Sequence, residues 1–260
     1  MTATRVEFNA VGRVFPRPCA VSHREPTGLE SRAGSIHVLL IQTGIGLDKA
    51  RSITRQILGR EAWDVVISTG FAGALNSSPI GSLVIGNEVL LEQPLDLLPD
   101  SDPQRILCHP DWVNTSLNIR MGQNPLQYGR FVTMDRVLTH ASQKQILGER
   151  TGAVAVDMES GAIGQVAQQH GFPFLIVRAI SDGVNEDLPV DFNMFLKPSG
   201  WVGGVRQVLC NPGCWMGIWR LYRNSKVAGL QLSRFFEKFF ATAPTGVSSI
   251  GTMKTGALEQ

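Results

Sequence analysis

The sequence has few of the features that mark membrane, secreted or nucleic-acid-binding proteins. No uncharged run reaches the roughly 18 residues that span a bilayer, and the N-terminus lacks the apolar core of a signal peptide. The 24 basic and 22 acidic side chains are scattered along the chain, which leaves no electrostatic footprint for nucleic acid. We therefore expect a cytoplasmic protein that does not bind nucleic acid.

Cysteine is also scarce. A reducing compartment would leave Cys19, Cys108, Cys210 and Cys214 as thiols, and the spacing of the last two, with no second Cys/His pair nearby, makes a poor zinc site. The chain has neither a glycine-rich dinucleotide fingerprint nor a His/Asp/Glu metal spacing. No cofactor or metal is expected.

The sequence does contain a regular alternation of strand-like and helix-like segments. With 43% hydrophobic residues, a chain of this length can bury a full core, and the alternation predicts an α/β protein whose sheet carries helices on both faces. Strands are predicted at 35–43, 64–69, 81–91, 130–133, 154–156 and 174–180, and helices at 48–58, 110–121, 140–150 and 159–170.

Four details refine this prediction. The strand at 64–69 is expected to stop at the glycines that follow it, and the strand at 81–91 to be antiparallel or bent, because its apolar residues alternate. The last two strands and the helix between them are expected to form a βαβ unit. The loop at 94–103, rich in Pro and Asp, is either a wall or lid of the site or inert surface.

The C-terminal part of the chain differs from the rest. We expect one domain over residues 1–190, a helical extension over 191–242 and a disordered tail over 243–260. The extension is predicted to form two amphipathic helices. One possibility is that they complete the hydrophobic core or form an oligomer interface. The other is that they present a basic, aromatic surface to a membrane or a lipid-like substrate. The aromatic residues of the extension are Trp201, Trp215, Trp219, Tyr222, Phe235, Phe236, Phe239 and Phe240.

Two carboxylates stand at the ends of apolar strands. Glu159 follows the strand at 154–156, and Asp182 follows the strand at 174–180. An α/β sheet usually presents its reactive groups at strand ends. These two residues are therefore the primary candidates for a catalytic site.

The chain resembles the purine nucleoside phosphorylase and nucleosidase superfamily, and most closely its methylthioadenosine/S-adenosylhomocysteine nucleosidase branch. Four blocks carry the resemblance in the family's order, namely 43–46 (TGIG), 68–73 (STGFAG), 156–159 (VDME) and 178–182 (RAISD). Residues 133–137 (TMDRV) and the helical C-terminal segment resemble a narrower subgroup, the hopanoid-associated phosphorylases, which are thought to remove adenine from adenosylhopane. The resemblance implies a three-layer α/β/α sandwich with a central mixed sheet, no cofactor and a homodimer.

Cleavage of an N-glycosidic bond requires a protonated leaving base and a stabilised ribosyl cation. Asp182 suits the first requirement, because burial at an apolar strand end disfavours the charged carboxylate and leaves a proton to donate. Ser181 is placed to orient that group. Glu159 suits the second, because an ionised carboxylate binds the ribose hydroxyls more strongly as the sugar becomes positive. The structural alternatives are a helix-dipole partner for Glu159 and a turn cap for Asp182.

The resemblance implies further site residues. Met158 matches the methionine that packs on the sugar or base. Glu7 matches the glutamate that activates water, although only six residues precede it, so the family's first strand is expected to be absent or stunted. Base recognition falls to the segment containing Val137 and Leu138, through apolar stacking and backbone hydrogen bonds, and to Phe71. Gly70, next to Phe71, is also expected to bind the substrate.

The residues of the second block bear on the choice between water and phosphate. Phosphorylases hold phosphate with an Arg and a Ser that flank its glycine, here Gly70, whereas this chain has Ser68 and Phe71 at those places. The loss of both groups favours hydrolysis. Arg130 or Arg136 is left as a replacement charge, and the amides of the first glycine block are an alternative anion site.

The leading hypothesis is an N-glycosidase that hydrolyses a 5′-substituted adenosine and releases adenine. The first alternative is a phosphate-dependent purine nucleoside phosphorylase. The second is an inactive nucleoside-binding or scaffold protein, suggested by the short N-terminal segment. The expected partners are a purine nucleoside, phosphate in the first alternative, a membrane or lipid through the C-terminal helices, and a second copy of the chain.

Overall fold

The computed structural model describes residues 1–15, 19–21, 26–33, 36–92, 104–122, 126–193 and 213–242. Their strands are β1 (Cys19–Val21), β2 (Gly28–Ala33), β3 (Ile36–Ile41), β4 (Val66–Ala74), β5 (Leu83–Leu91), β6 (Gln104–Leu107), β7 (Gln127–Thr133), β8 (Ala155–Asp157) and β9 (Phe174–Asp182). Their helices are α1 (Arg5–Gly12), α2 (Leu47–Leu58), α3 (Pro110–Leu117), α4 (Ala141–Thr151), α5 (Ser160–Gln169) and α6 (Gly213–Thr242).

The described strands form two sheets. The first is antiparallel, in the order β1-β2-β3, and the second is mixed, in the order β6-β5-β7-β8-β4-β9. Because β5 also pairs with β9, the mixed sheet bends until β5, β7, β8, β4 and β9 close into a ring, with β6 attached outside. Helices α2 and α5 pack together on one side, and α1 and α6 on the other. The predicted α/β/α arrangement around a mixed sheet is confirmed.

Strands β4 and β9 are parallel neighbours at the centre of the core. Residues 174–181 of β9 are all buried, because helices cover both faces of the sheet. The prediction that the first of these strands stops before its glycines is wrong, since β4 continues through them to Ala74. The glycines do not form a turn here. They make room for side chains of β9.

The strand, helix and strand at β8, α5 and β9 follow the predicted order but are not a βαβ unit. Both strands pair with β4. Strand β9 is parallel to β4, and β8 is antiparallel to it. The prediction of an antiparallel or bent strand is confirmed for β5. This strand is antiparallel to β9, parallel to β7, and shifts register between Gly86 and Glu88.

The first residues of the chain join the two sheets. Thr2 forms an isolated parallel bridge with Gln42, just after β3. The Met1 nitrogen donates to the Ile67 carbonyl at 2.9 Å, and Thr69 N–H donates to the Met1 carbonyl at 2.9 Å. The expected stunted first strand is thus reduced to a bridge between β3 and β4. This bridge fixes the entry to α1, which carries Glu7.

In the described part of the region where the sequence predicted two helices, residues 213–242 form one helix, α6. Its inner face is buried against the sheet and α1 by Ala228, Leu232, Phe235, Phe236 and Phe239. The outer face of its first turns exposes Met216, Trp219 and Tyr222. This helix therefore closes the core with its second half and presents aromatic side chains to solvent with its first half.

Several predictions concern residues outside the described part of the structure. They are the loop at 94–103, Trp201, the tail at 243–260 and the side chains of Cys19, Cys210 and Cys214. Cys108 is a free, buried thiol. Among the described helices, none is both long and apolar enough to cross a bilayer.

Two leucines of α6 test whether this helix is part of the core. Leu232 is fully buried and Leu230 is 51% exposed. We expect Leu232→Ala to lower the free energy of unfolding by about 2–5 kcal/mol, because it leaves a cavity, and Leu230→Ala to change it by less than about 0.5 kcal/mol. Urea denaturation of both variants provides the measurement. Equal, small effects would mean that α6 does not contribute to the core.

Candidate active site

A cavity of about 180 Å³ lies beside the ends of β4 and β9. It brings together side chains from α1, β4, the segment after β7, the junction of β8 and α5, and β9. Among its lining residues are those singled out in the sequence, namely Glu7, Phe71, Val137, Leu138, Met158, Glu159, Ser181 and Asp182. Gly70 does not line the cavity. It lies directly behind Glu7, where a β-carbon would come within 2.3 Å of Glu7 Oε1.

The two charged side chains of β9 each lie opposite a glycine of β4. Arg178 pairs with Gly70, and Asp182 pairs with Gly73. A β-carbon at Gly70 would lie 2.8 Å from Arg178 Nη1, and one at Gly73 would lie 2.9 Å from Asp182 Oδ2. Arg178 and Asp182 are four residues apart on β9, whereas Gly70 and Gly73 are three apart on β4. A register shift after Ala72 accounts for this difference. The glycines of β4 thus provide the space for the charges of β9.

Arg178 is the buried cation at the back of the site. Its guanidinium lies 3.0 Å from Asp157 Oδ2, 3.5 Å from Glu159 Oε2 and 4.0 Å from Glu7 Oε1. It also donates to the hydroxyls of Ser68 and Ser160. Burial lowers the pKa of Arg178, but the carboxylates outweigh burial and the net shift is upward. Arg178 is therefore a permanent positive charge between three carboxylates.

Glu159 is held between an amide and this arginine. Gly46 N–H, at the start of α2, donates to Glu159 Oε1 at 3.0 Å. Burial raises the pKa of Glu159 to about 7, with Arg178 opposing the shift and the neighbouring carboxylates reinforcing it. Glu159 makes no side-chain cap hydrogen bond to α5, whose Ser160 N–H donates to Asp157 instead. The glycine-block amide considered for an external anion thus binds a carboxylate of the protein itself.

Glu7 is buried, unlike an ordinary charged residue near a chain end. Its Oε2 accepts hydrogen bonds from Ala3 N–H at 3.1 Å, Thr4 N–H at 2.7 Å and the Thr4 hydroxyl at 2.9 Å, in a capping box at the start of α1. Its Oε1 accepts from Phe71 N–H at 2.6 Å. The carboxylate is therefore fixed through one oxygen and turned toward β4 and Arg178 through the other.

Asp182 has two partners. The Ser181 hydroxyl donates to Oδ1 at 3.0 Å, and the Lys144 ammonium donates to Oδ2 at 2.5 Å. Lys144 also donates to the carbonyls of Gly183 at 3.0 Å and Glu186 at 3.2 Å. Asp182 is thus bound on one oxygen by a hydroxyl and on the other by an ammonium. The expectation that it holds a proton for the base stays a prediction.

The segment after β7 forms the apolar wall of the cavity. Asn193 binds both backbone groups of Val137, accepting from its N–H at 2.8 Å and donating to its carbonyl at 3.0 Å. No described residue hydrogen-bonds to the N–H or carbonyl of Leu138, which lines the cavity. Phe71 and Met158, both partly exposed, line the cavity as well.

The cations considered for phosphate binding occupy different places. Arg130 is paired with Glu88, because its Nε donates to Glu88 Oε1 at 2.7 Å. Arg136 is exposed and lines the cavity. Ser68 is fully buried and its hydroxyl bonds with Ser160 at 2.9 Å. Of these groups, Arg136 alone lies where an external anion would bind.

Sequence reasoning assigned no role to Arg178, Asp157 or Lys144. A signal existed for Arg178, because a charged residue inside an apolar strand must be paired. No signal existed for Lys144, which lies among polar residues in a helix. Within the described ranges, no group of three His, Cys, Asp or Glu side chains is arranged to hold a metal ion.

Curated relatives of this chain are nucleosidases. The chain is 29% identical over 194 residues to 5′-methylthioadenosine/S-adenosylhomocysteine nucleosidase of Shewanella halifaxensis, covering 66% of this chain and 81% of that protein. It is 31% identical over 206 residues to the enzyme of the same name from Shewanella loihica, again covering 66% and 81%.

Solved structures share the fold. S-adenosylhomocysteine nucleosidase of Streptococcus pyogenes, in complex with 5-methylthiotubericidin, superimposes with a TM-score of 0.72 at 19% identity, covering 94% of this chain and 95% of that one. Futalosine hydrolase of Helicobacter pylori superimposes with a TM-score of 0.67 at 16% identity, covering 92% and 94%. At such identities the likeness establishes the fold alone.

The family profile of the phosphorylase superfamily matches residues 3–197, three quarters of the chain. This match and the curated relatives confirm the prediction of an N-glycosidase of the nucleosidase or phosphorylase type. The chain belongs to the phosphorylase superfamily.

Proposed function

We propose that the protein hydrolyses the N-glycosidic bond of a 5′-substituted adenosine and releases adenine. One observation carries the proposal. Glu7, Glu159 and Asp182, far apart in the chain, line a single cavity. The names of the Shewanella relatives, methylthioadenosine/S-adenosylhomocysteine nucleosidases, support both the reaction and the class of substrate.

In this mechanism the purine lies between Phe71, Val137 and Asp182. The unpaired backbone N–H and carbonyl of Leu138 bind the edge of the adenine ring. Asp182, oriented by the Ser181 hydroxyl, transfers a proton to the imidazole nitrogen of the base. Protonation converts adenine into a better leaving group, because the electrons of the glycosidic bond then enter a cationic ring and the base departs neutral.

The ribose lies over Glu159 and Met158. The ionised Glu159 carboxylate accepts hydrogen bonds from the two ribose hydroxyls. As positive charge develops on the sugar, these charge-assisted bonds strengthen, which stabilises the transition state more than the bound substrate. Gly46 and Arg178 hold the carboxylate in place from behind.

Glu7 activates the attacking water. Its Oε2 is occupied by the capping box, so Oε1, beside Phe71 N–H and Arg178, is the oxygen that takes the proton. Water adds to C1′ of the ribose as the base departs. A phosphorylase is the second candidate, and the exposed Arg136 at the cavity is the observation that favours it.

Product analysis distinguishes water from phosphate as the acceptor. With adenosine, methylthioadenosine and a lipid-linked adenosine, we expect free adenine and a reducing sugar in phosphate-free buffer, at a rate that added phosphate leaves unchanged. Chromatography of the products provides the measurement. Strict dependence on phosphate, with a sugar 1-phosphate as product, would establish the phosphorylase.

Two aspartate variants accompany this assay. Asp182→Asn should lower kcat by about a hundredfold or more, as expected for loss of proton transfer. Asp111→Asn, whose side chain is 88% exposed on α3, should leave kcat unchanged. Nucleoside binding without turnover in the unmodified chain would favour the inactive binding protein.

The ionisation of Glu159 sets an acid limit on activity. Because burial raises its pKa to about 7 and only the ionised form stabilises the cation, kcat/KM should rise with pH through about 7 and then level off. Glu159→Gln keeps an acceptor for Gly46 N–H but cannot ionise. We therefore expect kcat/KM to fall by about a hundredfold or more and its rise with pH near 7 to disappear. Rates across the neutral range provide the measurement. If the rise in kcat/KM with pH persists in the variant, a group other than Glu159 causes it.

We propose further that the 5′ substituent is a long apolar group, such as the hopanoid of adenosylhopane, and that the protein takes it from an anionic membrane surface. The first turns of α6 support this proposal. Trp219 and Tyr222 are exposed, with the Arg223 guanidinium 5.4 Å from the first ring and the Lys226 ammonium 5.2 Å from the second. Exposed aromatic rings interleaved with basic residues suit the interface of anionic lipids.

The opposite side of the same turns of α6 lies close to the cavity. Gly217 packs against Pro189 so closely that a β-carbon would come within 2.4 Å of Pro189 Cβ, and the adjacent Leu188 lines the cavity. Ile45 adds an apolar side chain to the same lining. A nucleoside delivered at the exposed face would therefore reach the site around the first turns of this helix.

Vesicle binding tests this surface. We expect binding to vesicles of phosphatidylglycerol and phosphatidylcholine, and roughly 30-fold weaker binding for Arg220→Gln/Arg223→Gln, since each basic residue near such a surface contributes ~1 kcal/mol. The matched control is Arg55→Gln/Arg60→Gln, at exposed positions on and just after α2. Sedimentation with vesicles provides the measurement.

Two outcomes would contradict the membrane surface. One is binding to neutral vesicles that equals binding to anionic vesicles, or no binding to either kind. The other is a change in oligomeric state in the α6 variant, which would make this face a contact between two copies of the chain. The homodimer and the cytoplasmic location implied above stay predictions, and analytical ultracentrifugation tests the first.

A further inference from the structure

Lys144 is a buried lysine with every donor used. Its side chain is 1% exposed, and its ammonium donates to Asp182 Oδ2, the Gly183 carbonyl and the Glu186 carbonyl. Burial of an ammonium is costly unless it is paired and hydrogen-bonded. Lys144 also lines the cavity beside Asp182. A side chain with that cost, placed at the group that must protonate the base, calls for a role in the reaction.

The other charged groups around Lys144 leave Asp182 as its acid–base partner. Glu186 contributes its backbone carbonyl, and Asp187 accepts from Ala141 N–H at the surface, 3.7 Å from His140. The remaining charges of the lining, Glu7, Arg136, Asp157 and Glu159, come from other elements of the cavity. Of the described carboxylates, Asp182 is the one within hydrogen-bond distance of the ammonium.

We propose that Lys144 is the proton store for the departing base and acts through Asp182. The inference rests on the proposed hydrolysis. In the resting site the pair is an ammonium and a carboxylate and carries one transferable proton. That proton passes from Lys144 Nζ to the Asp182 carboxylate, and from the resulting acid to the imidazole nitrogen of the purine, as the glycosidic electrons move into the ring.

The atoms and charges balance. Lys144 ends as a neutral amine, Asp182 as a carboxylate and adenine as a neutral base. Water adds to C1′ and gives its proton to Glu7. When the products leave, solvent returns a proton to Lys144 and removes one from Glu7. Lys144 is thus a positioning residue that supplies the proton without contacting the substrate.

Two substitutions separate proton supply from simple charge pairing. Lys144→Met removes the ammonium, so Asp182 must hold the proton alone. The basic limb of the kcat profile should then move toward lower pH by about 2 units or more, because an aspartic acid ordinarily releases its proton near 4. Lys144→Arg keeps the charge, but a guanidinium does not give up its proton. This variant should lose about a hundredfold or more in kcat at every pH.

The matched control is Lys238→Met. The ammonium of Lys238 also donates to a backbone carbonyl, that of Arg120, but lies at the surface on α6. Its pH profile should equal that of the unmodified chain. Thermal unfolding of every variant separates lost proton supply from lost structure, and KM should change less than kcat in both Lys144 variants.

Restoration of activity by arginine, or an unshifted basic limb in Lys144→Met, would overturn the proposal and leave Lys144 as a structural tie. If either variant fails to fold, the temperature dependence of the basic limb in the unmodified chain still tests the proposal. A basic limb set by an amine moves strongly with temperature, whereas one set by a carboxylic acid barely moves. No adenine release by the unmodified chain would instead overturn the proposed function.

Discussion

The site depends on the burial of one arginine. Arg178 enters the core on β9 and is paired with carboxylates that arrive on α1 and at the end of β8. A buried charge without partners costs several kcal/mol, and so does each carboxylate without the arginine. Ion pairing with Arg178 therefore ties three distant segments of the chain together. The same pairing fixes Glu7 and Glu159 in the lining of one cavity.

The remaining catalytic carboxylate has a cation of its own. Asp182 is paired with Lys144, away from Arg178, so the two acids that the proposed mechanism gives different roles also have different environments. This assignment has a cost. Because the pKa of Glu159 is raised from 4.5 to about 7, the free energy of unfolding that it contributes at low pH is lost as the pH rises through that interval. The charged form needed for catalysis is the less stable buried form.

Much of this arrangement could be predicted from the sequence, for physical reasons. Apolar runs ending in Glu159 and Asp182 marked buried strands with reactive ends, and Gly152 marked the end of α4, where it adopts the left-handed conformation with φ of 65°. Pairing across space left no such pattern. Lys144 has the sequence context of a surface lysine, and the extension of β4 through its glycines became visible only from their partners on β9.

The register shift beside Ala72 has a consequence for the chemistry. Ile180 and Asp182 pair with consecutive residues of β4, so Ser181 is the extra residue of β9. That extra residue supplies the hydroxyl that donates to Asp182, the acid of the proposed mechanism. The irregularity in the strand pairing therefore adds a polar partner at the edge of the cavity that a regular β-ladder has no residue to provide.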